Sequence, residues 1–186
     1  GFLEPSEVDA VIKYLPAELG PLVRFTYLTA WRIGEVLTLT WRNISFESRT
    51  IMLDPDHSKN RKARAFPFTT ELEALLNEQR RLTTECEHSL GRIIPSVFHR
   101  SGEPVRSIRR AWKAAAIKAG MPGRLIHDLR RSGIRQMMRS GISEPVAMKL
   151  SGHLSPSCHR RYDITSDADM RNAADKLDDV ANGGRR

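Results

Sequence analysis

The sequence predicts a mainly α (α+β) fold: a helical domain with one small antiparallel β-sheet or hairpin. Three observations lead there. Apolar residues recur at helical spacing along most of the chain. Only two short runs, Arg49–Leu53 and Arg64–Phe68, change to a β-type pattern, and the polar stretch DPDHSKNRKA joins them. Proline and glycine punctuate the rest at positions that start or end helices.

Taken in order, Pro5-Ser6-Glu7 opens a helix with Val8, Val11, Ile12 and Leu15 on one face, stopped near Pro16. Pro21 suits the first turn of a second helix running to about Ala30. RIGEVLTL, Arg32 to Leu39, reads as a third, and the hairpin follows it. Thr69 or Thr70 then caps a helix of ELEALLNEQRRL, with Glu71 and Glu73 in its first turn. IIPSVF is a short extended piece, and VRSIRRAWKAAAIKAG is a basic amphipathic helix closed by Gly120 and Pro122. HDLRRSGIRQMMRSG is helical to Gly141, and Ser143 caps SEPVAMKLSG. A short helix over SPSCHRRY and a final one over SDADMRNAADKLDDVAN complete the reading, with neither repeats nor a low-complexity linker.

At 186 residues and 40% hydrophobic content, the chain can bury one real core. A net charge of +8 and a pI near 10.0 favour a polyanionic partner, nucleic acid before a membrane surface. Between Arg106 and Arg139 ten Lys or Arg face a single acid, Asp128. From Asp163 to Asn182 the balance reverses. No stretch has the ~18 apolar residues of a membrane span. Cys86 and Cys158, with no CxxC, fit a cytoplasmic protein with free thiols.

Four segments concentrate reactive side chains. In TAWRIGEVLTLTW, Arg32 and Glu35 are three apart on one helix face, equally readable as a simple intrahelical ion pair. In SKNRKARAFPF, Lys59, Arg61, Lys62 and Arg64 sit in or beside the hairpin loop, and in isolation they read as a solvated basic turn. IHDLRRSG places His127 and Arg130 on one face. GHLSPSCHRRYD sets His153 nine residues before Tyr162. The spacing of His153, Cys158 and His159 matches no common metal-ligand pattern, so neither a metal nor another cofactor is expected. No serine lies in a G-x-S-x-G elbow. Two arginines, a lysine, two histidines and a tyrosine instead suit metal-free phosphoryl transfer. Guanidiniums match the oxygens of a phosphodiester bidentately, and a phenol can serve as nucleophile.

The order and context of these segments resemble the tyrosine recombinase, or phage integrase, family. TAWRIGEVLTLTW resembles its T-G-x-R-x-x-E-x-x-x-L-x-W box, and SKNRKARAFPF its K-T-x-K-x-R-x-V-P-L hairpin segment. HDLRRSG resembles the H-x-x-R box, and LSGHLSPSCHRRYD the L-G-H box with its tyrosine nine residues on. The match runs from about Leu3 to Asp163. The resemblance implies an integrase-like catalytic core in which Arg32, Arg130 and His153 hold the scissile phosphate. It makes Lys59 the proton donor to the leaving 5′ oxygen, and His127 a phosphate ligand and proton carrier. Tyr162 would be the nucleophile and Glu35 the residue orienting Arg32. Ala30 stands where the family usually has Gly, and Asn60-Arg61 replace its small turn residues.

DNA contacts are expected from Arg106, Arg109, Arg110 and Lys113, with Arg61 and Lys62 beside the cleft. Trp31, Trp41 and Trp112 are expected in core or groove-wall positions, and Cys158 and His159 as packing or surface residues. The implied division is a catalytic domain over 1–165 and a C-terminal helix or tail over 166–186. That tail either exchanges with a neighbouring protomer or folds back on its own domain. The family's N-terminal DNA-clamping domain has no counterpart here, as expected of an excised domain or a short relative. The implied partners are double-stranded DNA, a homotetramer on it, and accessory DNA-bending or directionality proteins, with no membrane. Two other classes remain: relaxation of supercoils in the manner of a type IB topoisomerase, and an inert DNA-binding domain.

Overall fold

The second helix, α2 (Gly20–Thr29), is the hub of the core, and the computed structural model of the protein describes residues 1–58, 63–152, 171 and 174. Leu22, Val23 and Phe25 of α2 are fully buried. Its two buried threonines satisfy their own hydroxyls on the preceding turn, Thr26 on the Leu22 carbonyl (2.8 Å) and Thr29 on that of Phe25 (2.9 Å). Before it, α1 (Pro5–Ile12) buries Val8 and Val11, as their spacing predicts, and Glu7 reaches back to accept from the Glu4 amide (2.7 Å). After it comes α3 (Ile33–Leu37), shorter than the eight-residue helix expected from RIGEVLTL. Arg32 has extended backbone at its N-cap.

The hairpin belongs to a three-stranded antiparallel sheet: β1 (Ile44–Ser45), β2 (Thr50–Leu53) and β3 (Arg64–Pro67), in that order. Ile51 pairs with Ile44 on one side and Phe66 on the other, and Leu53 pairs with Arg64. Strand alternation then turns Ile51, Leu53, Phe66 and Arg64 inward while Met52 and Ala65 face out. The third strand was not anticipated, because two residues are too few to show a period and their partner lies across a turn.

Thr69 supplies the expected cap of α4 (Thr70–Leu90), accepting from the Leu72 amide at 3.2 Å. The helix runs eight residues past the predicted Leu82. Its polar second half is helical because Thr83 turns inward to the Gln79 carbonyl (2.8 Å) and the His99 ring (3.0 Å). IIPSVF, expected as a short extended piece, forms a single bridge at Ser96 and bends at Val97 and Phe98. Ser96 bridges Thr40, and the Val97 amide donates to the Leu39 carbonyl at 3.0 Å. A second small hairpin, β4 (His99–Arg100) with β5 (Glu103–Pro104), follows. The basic helix α5 (Arg109–Lys118) starts later than the sequence suggested, since Val105 and Ile108 bury their side chains ahead of it.

Helix α6 (Ile126–Arg139) lies directly against α2. A Cβ on Gly133 would overlap the Tyr27 carbonyl oxygen, so this residue permits the close approach. α7 (Glu144–Ser151) packs on α6 and β3; Ser143 occupies its N-cap position without a capping side-chain bond. Trp31 and Trp112 are buried as expected. Trp31 meets Phe25 and Phe66 edge-on, tying the helices to the sheet. Trp41 is half-buried under the Arg80 guanidinium. The helices predicted over Ser155–Tyr162 and 166–182 lie outside the described residues, apart from Arg171 and Ala174, which are helical. No described helix is long and apolar enough to cross a membrane.

Candidate active site

Three sequence-distant segments meet around the C-terminal end of α7. α2 ends on Ala30, whose backbone is left-handed (φ 53°, ψ 25°). That geometry accounts for a preference for glycine here, and alanine adopts it under mild strain. The kink delivers Trp31 and Arg32 to the start of α3. Glu35, on the first turn of α3 and only 3% exposed, binds Arg32 twice. Oε2 accepts from the Arg32 amide (3.1 Å), capping the helix, and Oε1 accepts from Nη1 (2.9 Å). The ion pair predicted from spacing is therefore present. It leaves the Arg32 side chain 28% exposed.

Arg130 lies on the inward face of α6 and is 2% exposed. Its Nη1 donates to the Ala30 carbonyl (2.6 Å) and to the Ser151 carbonyl (2.8 Å). One guanidinium thus joins the α2–α3 kink to the end of α7. Trp31 Nε1 donates to the neighbouring Leu150 carbonyl at 2.9 Å. Carbonyls left over at a helix C-terminus need such donors.

His127, in the first turn of α6, is exposed. Partial desolvation holds its pKa below the ordinary value, and the guanidiniums of Arg130, Arg131 and Arg32 push the same way against Asp128. His127 and Arg130 are three residues apart on α6, one turn from each other. Asp128 is buried and accepts from the Leu125 amide (2.9 Å), so it holds the start of α6 in place.

Arg64, which the sequence groups with the solvated basic turn of the hairpin, is instead buried in this cluster. Its side chain is 7% exposed. Nη2 donates to Glu35 Oε2 at 2.6 Å and Nη1 to the Ser151 carbonyl at 3.1 Å, while the guanidinium stacks 4.8 Å from the Trp31 ring centre. Its two-residue offset from Phe66 on an inward strand face was the available signal. Burial of Glu35 would raise its pKa, but Arg64 first, then the bonds from Arg32, leave it below the usual carboxylate range.

The structure therefore links Arg32, Glu35 and Arg130 through Arg64 and the Ser151 carbonyl, and His127 lies one turn before Arg130 on α6. Lys59, Arg61, Lys62, His153 and Tyr162 lie outside the described residues. Arg106, Arg109, Arg110 and Lys113 are exposed, the last three on α5. The acids of DPDH serve local structure in part: Asp54 accepts from Asn43 Nδ2 at 3.1 Å. Among the described residues no group of three or more His, Cys, Asp or Glu could hold a metal. Of the other tyrosines, Tyr14 is exposed beyond α1. Tyr27 is buried, with its phenol pushed up by that burial and by Glu4. Guanidiniums such as those of Arg32 and Arg130 can bind the oxygens of a phosphodiester and stabilise charge developing there.

A helical domain with a small antiparallel sheet is the architecture of a tyrosine recombinase catalytic domain. The chain belongs to the phage integrase family, whose model matches residues 2–168. It is 24% identical to the integrase of Salmonella phage P22 over 96% of this chain and 47% of that protein. The curated relatives it matches are longer: the chain spans 33–52% of their length. Its fold is similar to the catalytic domain of bacteriophage HP1 integrase, with a TM-score of 0.65 at 20% identity over 100% of this chain and 99% of that one. It is also similar to a lambda integrase tetramer bound to a Holliday junction, with a TM-score of 0.67 at 19% identity over 90% of this chain and 50% of that one.

Proposed function

We propose that this chain is the catalytic domain of a site-specific DNA recombinase that breaks and rejoins strands through a phosphotyrosyl intermediate. The observation that carries the reading is the hydrogen-bond network that joins Arg32 through Glu35 and Arg64 to the Ser151 carbonyl, which Arg130 also holds, with His127 one turn before Arg130 on α6. In this reading Arg32 and Arg130 bind the non-bridging oxygens of the scissile phosphate, with His153 as a further donor. Binding energy that grows as the phosphorane forms lowers the barrier.

The Tyr162 phenolic oxygen attacks phosphorus, and the bond to the 5′ oxygen breaks. The phenol proton passes to His127, and Lys59 protonates the departing oxygen. The products are a 3′-phosphotyrosine and a free 5′ hydroxyl, with the number of phosphoester bonds unchanged. A 5′ hydroxyl from another strand then reverses the step, so neither ATP nor a cation is required. The burial of Tyr27 supports Tyr162 as the nucleophile. Glu35 orients Arg32, while Arg106, Arg109, Arg110 and Lys113 hold DNA backbone with help from Arg61 and Lys62. A tetramer on paired DNA sites is the proposed assembly, supported by the lambda integrase neighbour, with residues 166–186 as the segment exchanged between protomers.

The test is a pool of nicked suicide duplexes with randomised inverted repeats, incubated with the chain at high concentration and resolved on a denaturing gel. A covalent adduct absent from Tyr162→Phe is expected, and chelator leaves its yield unchanged. Persistence of the adduct in that variant removes Tyr162 as nucleophile. DNA binding without any adduct supports the inert-domain alternative. Relaxation of a plasmid without exchange between two recovered sites favours topoisomerase-like action.

A further inference from the structure

We infer that Arg64 is a positioning residue of this site: it locks Arg32 and the end of α7 in one frame without touching the phosphate. The inference rests on the recombinase reading above. Arg64 opens β3 and faces inward, where an isolated cation is costly to bury. Its guanidinium bridges two groups that belong to different parts of the site. Nη2 holds Glu35 Oε2 (2.6 Å), and the other oxygen of that carboxylate holds Arg32 (2.9 Å). Nη1 holds the carbonyl of Ser151, the last residue of α7, which Arg130 also engages. The chain from Arg32 through Glu35 and Arg64 to Ser151 and Arg130 is continuous, so the two arginines proposed to grip the phosphate are set relative to each other through Arg64.

Two neighbours are shaped for this group. Gly152 has φ +74° and would place any Cβ on the Arg64 guanidinium. Trp31 stacks against the same plane and donates its own indole N–H to Leu150. A lysine here has one ammonium and cannot reproduce the planar two-ended bridge. Nε of Arg64 is buried without a hydrogen-bond partner, as fits a side chain placed for its two terminal nitrogens.

The experiment uses the duplex recovered from the pool and compares Arg64→Lys, Arg64→Gln, Glu35→Gln and the Arg64→Lys/Glu35→Gln pair with the unaltered chain. Measured are the single-turnover cleavage rate at saturating DNA, the Kd for the duplex, and the urea midpoint. Arg64→Lys is expected to lower the rate by about 100-fold while Kd changes less than about threefold. The double variant is expected to be no more than about threefold slower than the slower single one, since both changes break the same link. A residue needed only for folding would lower the urea midpoint and leave the saturated rate of the folded fraction intact, and that result would overturn the inference. So would fully additive losses in the double variant. If Arg64→Lys does not fold, Arg64→Gln carries the same rate test. Absence of adduct from the unaltered chain counts against the recombinase reading itself, whereas an equally fast Arg64→Lys counts only against this role.

Discussion

Arg64 and Arg130 donate to the same acceptor, the Ser151 carbonyl, at 3.1 and 2.8 Å, from a strand and a helix that are far apart in sequence. The two like charges tolerate this proximity because Glu35 neutralises Arg64 and because both guanidiniums find backbone dipoles. The end of α7 is thereby held from two sides, directly before Gly152 and His153.

Truncating Arg130 removes the donor to two buried carbonyls at once. Arg130→Ala is expected to destabilise the domain by about 3–5 kcal/mol and to abolish cleavage, as read by urea unfolding and adduct formation. Arg130→Lys keeps the charge but cannot bridge Ala30 and Ser151 in one plane, so it is expected to recover part of the stability and little of the rate.

The two glycines at the site should respond differently. Gly133→Ala forces a methyl onto the Tyr27 carbonyl, a backbone atom that cannot rotate away, and should cost about 1–3 kcal/mol in thermal or urea unfolding. Gly152→Ala meets the movable end of Arg64 in a left-handed backbone. It is expected to cost about 1–2 kcal/mol in stability and to lower the cleavage rate out of proportion to that loss.

His99 gives the fold an acid sensitivity. The ring is buried between the Thr83 hydroxyl and the Gly102 amide, which donates to Nδ1 (3.3 Å). Burial holds its pKa below the ordinary 6.5, only partly offset by Glu87. The unfolded chain therefore binds the proton more readily, so this stability is present above about pH 6.5 and is lost as pH falls. His127 is lowered too and adds to the same trend. Urea midpoints of the unaltered chain should drop between pH 7.5 and 5, and His99→Gln should drop less; an equal drop in both would assign the effect elsewhere.

The exposed basic face of α5 should show itself in the salt dependence of DNA binding. Replacing Arg109, Arg110 and Lys113 together by alanine is expected to reduce the slope of log K against log salt by roughly 2–3, with urea stability nearly unchanged. An unaltered slope would place the DNA backbone on another face.

Much of this protein was legible from local pattern. The apolar spacing of Val8 and Val11, the cap at Thr69 and the pairing of Arg32 with Glu35 each depend on residues within four positions of one another. The second half of α4 was missed because its polar surface shows no stripe. What fixes it inward is the contact of Thr83 with His99, sixteen positions away.

The order of the four reactive segments, their residue types, and the helical class of the domain were determined by the sequence alone. The tertiary structure decided that Arg32, Glu35 and Arg130 join one hydrogen-bond network, and that Arg64 is its link. The physical reason is reach. Periodicity and capping record interactions across a turn, whereas Arg64 meets Ser151 across 87 positions and Arg130 meets Ala30 across 100. Only a folded core, with β3 registered so that Arg64 faces inward beside Phe66, brings such distant groups within hydrogen-bond distance.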